Sequence, residues 1–208
     1  MIECERSNTP NYNFMMVNIA WNHSGWSLLE PNPDIGFGFV HRPNEAAYSP
    51  HEALNFDFNK KNIDTADYLF GYFQTRGIPR QFRIGGLIFF WSMSTDDNRG
   101  YFVGVYGDAC VHNGVEKWPF KGFYNDECWA NIRGKKTLSF RFPFQVDSRS
   151  CFPCRTRLIY RSNLSYNLDK NDALKILSMA RDACLKNISN ATDIKKLEVI
   201  KKYVMDHL

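Results

Sequence analysis

The chain has 208 residues, of which 44% are hydrophobic, so it suits one domain with a small appendage and is too apolar to be wholly disordered. No stretch approaches the roughly 20 apolar residues of a membrane-spanning helix, and no secretory signal opens the sequence. We therefore expect a cytoplasmic protein with no membrane partner. The net charge is +4, but residues 1–104 carry −3 and residues 105–208 carry +7. A positive half of this kind attracts polyanions.

The N-terminal half of the chain predicts a strand, an aromatic loop and two helices. The apolar run 14–20 is short and bounded by polar residues, as a buried strand is. A capping-box sequence at 49–52 predicts a short helix that ends near Phe58. Apolar residues then recur at helical spacing, which predicts a second helix over 64–77.

The middle of the chain has the pattern of antiparallel strands. Two apolar runs, 87–93 and 101–106, are separated by a polar turn and predict a buried hairpin. Gly104 inside the second run indicates a bulge or a close approach of another part of the chain. Further strands are expected at 108–115, 137–146 and 155–161.

The pattern becomes helical from residue 169 onward. Apolar residues repeat at helical spacing on both sides of a break at 187–192, which predicts two helices. We therefore expect an α+β fold: a small, mostly antiparallel β-barrel with flanking helices and a C-terminal helical tail. The expected units are 1–161, a nucleic-acid-binding domain, and 162–208, a two-helix extension or linker to a further domain.

The sequence lacks the motifs of common enzymes. It has no phosphate-binding glycine loop, no His-Glu-x-x-His and no Gly-x-Ser-x-Gly. Asp96 and Asp97 are adjacent, but their surroundings are typical of a turn. We therefore expect a binding domain with no catalytic residue. The alternative is a metal-dependent nuclease or hydrolase whose metal is held by a cysteine cluster or by His23 and His112.

Four of the six cysteines are candidate metal ligands. Cys151 and Cys154 have the spacing of half a tetrahedral zinc site, and Cys110 and Cys128, with His112, would supply the rest. The other interpretation is that reduced, buried thiols act as small hydrophobic groups. We expect no cofactor, with structural zinc as the alternative.

Basic residues concentrate at 133–161, where Asp147 is the single acid. Phenylalanines are interleaved with these basic residues, a mixture that nucleic-acid-binding surfaces favour. The alternative interpretation is a solvated strand face that carries long basic side chains.

The loop after the first strand gives the strongest functional signal, because it combines two tryptophans with small polar residues. Flat rings beside hydrogen-bonding groups are what an unpaired base needs for stacking and for recognition of its edge. The alternative is that Trp21 and Trp91 belong to the core, whereas Trp26 is expected to be exposed. The candidate base-binding residues of this loop and of a second strand end are Trp21, His23, Ser24, Trp26, Trp91 and Ser92.

The order of these elements resembles the PUA-like superfamily, especially its EVE and YTH domains. The resemblance covers about residues 14–146. It rests on the loop after the first strand and on a hairpin formed by Gly-Leu-Ile-Phe-Phe-Trp at 86–91 and Phe-Val-Gly-Val-Tyr-Gly-Asp-Ala at 102–109. Leu87 stands where the family usually has aspartate. The resemblance implies a small β-barrel, and EVE and YTH members hold a modified base in an aromatic cage.

The resemblance also implies partners and site residues. Phe37 would add a wall to the cage, in which at least two of Trp21, Trp26 and Trp91 would sandwich a base. The partner would be DNA with a methylcytosine- or methyladenine-type base, with RNA as the alternative ligand. The chain would then target a McrB-type restriction system through an NTPase or nuclease module, whereas a peptide-docking domain is a separate alternative. The candidate phosphate-binding residues are Arg42, Arg76, Arg80, Arg83, Arg133, Lys135, Lys136 and Arg141.

Overall fold

The computed structural model shows a mixed α+β fold. It describes residues 12–19, 21, 55–56, 67–73, 82–117, 129–153, 165–187 and 190–208. Within these ranges the strands are β1 (Tyr12–Asn18), β2 (Tyr68–Gly71), β3 (Phe82–Met93), β4 (Gly100–Lys117), β5 (Trp129–Lys135), β6 (Phe140–Asp147) and β7 (Ser165–Leu168). The helices are α1 (Ser148–Cys151), α2 (Lys170–Lys186) and α3 (Ala191–His207). None of these described helices combines the length and the apolarity needed to cross a membrane.

The strands form one seven-stranded sheet in the order β2-β5-β4-β3-β1-β7, and β6 pairs with β4 beside this path. The pair β1–β3 is parallel and the other described pairs are antiparallel. The predicted mostly antiparallel α+β architecture is therefore confirmed. The described strands do not close into the expected barrel, because the path ends at β2 on one side and at β7 on the other.

Strand β4 changes partners along its length and divides the sheet into two parts. Its first half pairs with β3 and β6, whereas the half after Cys110 pairs with β5. Asp108 lies at the change with a φ of 49°, in the left-handed region that aspartate tolerates better than most residues. At this change β4 passes from one part of the sheet to the other.

Alternate residues of β1 and β3 supply two separate cores. Phe89 and Trp91 face a cluster that includes Ile176 of α2 and Ile200 of α3. Ile88 of β3 faces the other cluster, together with Met15 and Val17 of β1. Residues of β2 and β5 also line this second cluster. Both faces of the central strands are therefore buried, which explains why their sequences are continuously apolar.

The two helices predicted from residue 169 onward are confirmed. Asp169 and Asp172 form a reciprocal capping box at the start of α2, and the Asn190 side chain caps α3. Arg181 of α2 forms an ion pair with Glu198 of α3. Both helices share one core with the sheet. The boundary expected at residue 161 lies outside the described residues and stays a prediction.

The helix predicted over 64–77 is wrong where the structure describes it, because Tyr68–Gly71 is the strand β2. Leu69, Phe70 and Phe73 are all buried here, so the apolar positions that predict a helix also suit a strand buried on both faces. Pairing with β5, four residues of β2 against four of β5, decides the conformation. This is a case in which tertiary pairing overrides a local pattern.

The other expected elements differ in their limits. The strand expected at 108–115 is the second half of β4, and the one expected at 137–146 is β6, which follows a short 3-10 helix at Lys136–Leu138. Strands β5 and β7 were not predicted. The strand expected at 155–161 and nearly all of the helix expected to end near Phe58 lie outside the described residues.

Candidate nucleic-acid interface

A polar cluster forms where β4 changes partners. The Tyr68 hydroxyl of β2 donates a hydrogen bond to Oδ2 of Asp108 at 3.0 Å. The Tyr203 hydroxyl of α3 donates to the carbonyl oxygen of Gly85 in β3 at 2.7 Å. A Cβ placed on Gly85 would lie 3.6 Å from both the Asp108 carboxylate and the Tyr203 hydroxyl oxygen. Three strands and a helix therefore place two tyrosines around one carboxylate.

Basic side chains surround this cluster. The Arg133 guanidinium lies over the Tyr68 ring, 4.9 Å from its centroid, as in a cation–π contact. Lys135 pairs with Tyr68 in the β2–β5 register. The Lys196 ammonium of α3 donates to the carbonyl oxygen of Lys136 at 2.8 Å. We define the basic surface as these cations, Arg83 and the two tyrosines: Arg83, Arg133, Lys135, Lys136, Lys196, Tyr68 and Tyr203.

The electrostatics of the basic surface favour an anionic ligand. Burial lowers the pKa of Lys196, and the neighbouring charge of Lys136 lowers it further. Burial raises the pKa of Tyr203, and the nearby Asp108 and Tyr68 raise it further, so this hydroxyl remains a donor at neutral pH. Lys136 and Lys196 repel each other when both are charged, and a bound phosphate would relieve that repulsion.

The structure brings together four of the eight candidate phosphate-binding residues. Arg83, Arg133, Lys135 and Lys136 lie on the basic surface. Arg141 is exposed on β6 opposite Gly104, at a different part of the sheet. The three remaining candidates lie outside the described residues: Arg42, Arg76 and Arg80.

Sequence reasoning missed Tyr68, Lys196 and Tyr203. The apolar spacing predicts a helix at Tyr68, and the C-terminal pattern places Lys196 and Tyr203 in a separate extension. Nothing in the local pattern of α3 indicates that it contacts Gly85 of β3, because that contact joins residues 118 positions apart in the sequence.

The structure does not bring the predicted base-binding tryptophans Trp21 and Trp91 together. Trp91 is 2% exposed on the face covered by α2 and α3, where its indole packs over Gly100. Trp21 is 7% exposed in the opposite core, and its ring centroid is 6.1 Å from that of Tyr101. These two rings therefore do not sandwich one base between them, as the alternative core interpretation expected.

The rest of the predicted pocket is described only in part. The Ser92 hydroxyl is buried and donates to the carbonyl oxygen of Ile19 at 2.8 Å, so it ties β3 to the end of β1. The remaining candidates lie outside the described residues and stay predictions: His23, Ser24, Trp26 and Phe37.

Trp21 and the basic surface lie at opposite ends of the sheet. The Trp21 ring lies beside Tyr101, which pairs with Ser92 of β3, whereas Gly86 of β3 pairs with Ala109 beside the basic surface. Six residues of strand separate them, or about 20 Å at 3.3 Å per residue. A ligand that contacts both ends must therefore be extended.

The structure describes two of the four cysteines of the alternative zinc site, Cys110 and Cys151. Cys110 is in a disulfide, contrary to the expectation of reduced thiols, and a disulfide sulfur does not offer the thiolate that zinc needs. Cys151 is a free thiol 3.3 Å from the Met179 sulfur, and burial raises its pKa to about 12. The described residues contain no group of three metal-binding side chains. Cys128 and Cys154 lie outside those residues.

His112 makes the stability of the protein depend on pH. Its side chain is 5% exposed, and burial, followed by the charge of Arg133, lowers its pKa to about 4. The unfolded chain takes up a proton near pH 6.5, whereas the folded chain does not until about pH 4. The free energy of unfolding should therefore fall by roughly 3 kcal/mol as the pH drops through this window.

Urea unfolding between pH 4 and 7.5 measures this loss. In His112→Gln the part of the pH dependence below pH 6.5 should shrink by about that amount. His207→Gln removes an exposed histidine of α3 and is the matched control, whose profile should follow that of the parent. Identical profiles for the parent and His112→Gln would show that this imidazole is not buried in its neutral form.

The described residues are suited to bind an anion. Positive charges from β3, β5, α3 and the 3-10 helix lie around Tyr68 and Tyr203, whose hydroxyl hydrogens bond to Asp108 and to the Gly85 carbonyl oxygen. Compared with known proteins, the chain matches no family model, no curated protein and no solved structure. The function is therefore inferred from the chain's own geometry.

Proposed function

We propose that the protein is a non-catalytic nucleic-acid-binding module whose basic surface holds the phosphate backbone. The observation that carries this proposal is the convergence of five cations and two tyrosines from separate parts of the chain. On a face that is only solvated, positively charged side chains are expected to be exposed and separated from one another. Lys196 is instead half-buried beside Lys136. Clustered cations beside aromatic rings are typical of surfaces that track a nucleic-acid backbone.

The finer proposal is that the chain is a PUA-like, EVE- or YTH-like reader of a modified base in DNA. The confirmed antiparallel hairpin β3–β4 supports it, as does the tight packing at Gly104, where a Cβ would lie 2.7 Å from the Phe140 carbonyl oxygen. The base would enter at the loop after β1, beside Trp21. In this proposal the module directs a restriction complex to modified DNA.

The separation of the two regions defines the length of the ligand. About 20 Å corresponds to about six nucleotides at 3.4 Å each. A strand or duplex shorter than this would contact either the basic surface or the aromatic loop. Nucleic acids of about twelve nucleotides should therefore bind more tightly than those of about four. The gain in affinity should exceed the increase that arises simply because a longer oligonucleotide offers more positions for binding.

The test is a binding titration against matched duplexes with cytosine, methylcytosine, hydroxymethylcytosine, adenine or methyladenine. Trp26→Ala should weaken binding of the preferred modified duplex about 5- to 150-fold, because stacking of a base on an aromatic ring contributes about 1–3 kcal/mol. Binding of the unmodified duplex should change little, since phosphate contacts hold it.

Tyr12→Ala is the matched control, because Tyr12 is an exposed aromatic residue of β1. This variant should retain the affinities of the parent. Equal affinity of the parent for all five duplexes would contradict the modified-base proposal. Tighter binding of single-stranded RNA than of every duplex would support the RNA alternative.

A further inference from the structure

An acidic residue, Asp108, lies within the basic surface and stays half-buried there. A carboxylate that faces a polyanion weakens the attraction, so its place beside Arg83 and Arg133 needs a reason. The hydrogen bond from Tyr68 uses only one of its two oxygens, Oδ2. That hydrogen bond orients the carboxylate and leaves the other oxygen, Oδ1, for a further donor.

The space in front of Oδ1 is bounded by Gly85. This glycine has a φ of 90°, a conformation that residues with a side chain rarely adopt, and a Cβ placed on it would lie 3.6 Å from both Oδ1 and the Tyr203 hydroxyl oxygen. Glycine therefore leaves free the space beside Oδ1 that a side chain would take. Within the described part of the chain, no hydrogen bond to Oδ1 is formed. Asp108 is therefore an oriented acceptor whose second oxygen has no hydrogen-bond donor among the described residues.

Three residues with rarely populated, positive φ angles lie around the Asp108 carboxylate. Asp67, Gly85 and Asp108 all have positive φ, at 61°, 90° and 49°. Asp67 immediately precedes Tyr68, the donor to Asp108, and Gly85 adjoins the carboxylate. Such conformations are retained where the surrounding structure holds them, and they cluster at ligand-binding sites.

We propose that Oδ1 of Asp108 accepts a hydrogen bond from the exocyclic amino group of a base, so that this residue selects cytosine over uracil or thymine. The proposal rests on the nucleic-acid-binding function proposed above and adds a base-selecting residue to its basic surface. Carboxylates accept from the cytosine amino group in known modes of base recognition. A metal cation is a poorer occupant, because Arg133 and Arg83 would repel it and Asp108 is a single carboxylate.

The test compares oligonucleotides of about twelve deoxycytidines with matched oligonucleotides of deoxyuridine, which carry a carbonyl in place of the amino group. The parent protein should bind deoxycytidine about fivefold to tenfold more tightly. In Asp108→Asn this preference should disappear or reverse, because the asparagine amide can donate to the uracil carbonyl. Asparagine also tolerates the left-handed backbone, so the variant should keep the parental fold.

Asp67→Asn is the matched control, because it removes the same charge from an exposed residue that also has a positive φ. It should raise the affinity for both oligonucleotides alike and leave the preference intact. A parent that binds both equally, or an Asp108→Asn variant with the parental preference, would overturn the base-selecting role alone. A parent that binds neither would overturn the proposed function with it. If Asp108→Asn fails to fold, a parent that binds both oligonucleotides equally still overturns the base-selecting role.

Discussion

Replacing Arg133, Lys135 and Lys136 together with alanine should weaken binding to every nucleic-acid sequence roughly a hundredfold at physiological salt. Each phosphate contact contributes about 0.9 to the slope of log affinity against log salt concentration, so three lost contacts should lower that slope by nearly 3. The loss should be alike for modified and unmodified DNA, because phosphate contacts carry no sequence information. Fluorescence anisotropy titrations at several salt concentrations measure both quantities.

The matched control removes three lysines from α2, which takes no part in the basic surface: Lys170, Lys175 and Lys186. This control variant has the same net charge as the test variant, so it separates the effect of total charge from that of the surface. It should lose less than a few-fold in affinity. Equal losses in the two triple variants would show that the basic residues act only through net charge.

Trp91→Ala should lower the free energy of unfolding by about 3–5 kcal/mol and leave the nucleic-acid affinity of the folded protein unchanged. The indole is buried against α2 and α3, so truncation opens a cavity in the core. Chemical denaturation measures the first quantity. Titration at a temperature where the variant is folded measures the second.

Trp91→Phe gives a milder control, because it keeps an aromatic ring and removes an indole N–H that has no hydrogen-bond partner among the described residues. It should be less destabilising than Trp91→Ala. If Trp91→Ala stays as stable as the parent but binds modified DNA at least fivefold more weakly, Trp91 belongs to a base pocket and not to the core.

The fold could be predicted where the apolar pattern was unambiguous. The strand β1, the hairpin β3–β4 and the helices α2 and α3 follow from runs of apolar residues with clear spacing. Strand β2 could not be predicted, because its four residues are too few to show a period and its conformation depends on pairing with β5. The disulfide at Cys110 also contradicts the expectation of reduced thiols, which rested on the small number of cysteines and on the expected cellular location.

Of the candidate site, only the concentration of positive charge could be predicted from the sequence. The concentration of basic residues after Arg133 was visible in the sequence, and the structure places part of it on one surface. The contributions of Tyr203 and Lys196 depend on how α3 packs, which no local pattern encodes. Of the three tryptophans expected to supply the cage, Trp21 and Trp91 cannot form a sandwich together, because their side chains lie on opposite faces of the sheet.

Chemical-shift mapping of the backbone amides during addition of a twelve-nucleotide DNA tests the central claim most directly. We expect the largest shifts in Tyr68, Asp108, Arg133 and Lys136, at the junction of β2, β4 and β5, with smaller shifts in α3 near Tyr203. Amides of α2 should remain unchanged and serve as the internal reference. Shifts confined to α2 and β7, or none at DNA concentrations that saturate binding, would contradict the assignment of the basic surface as the nucleic-acid interface.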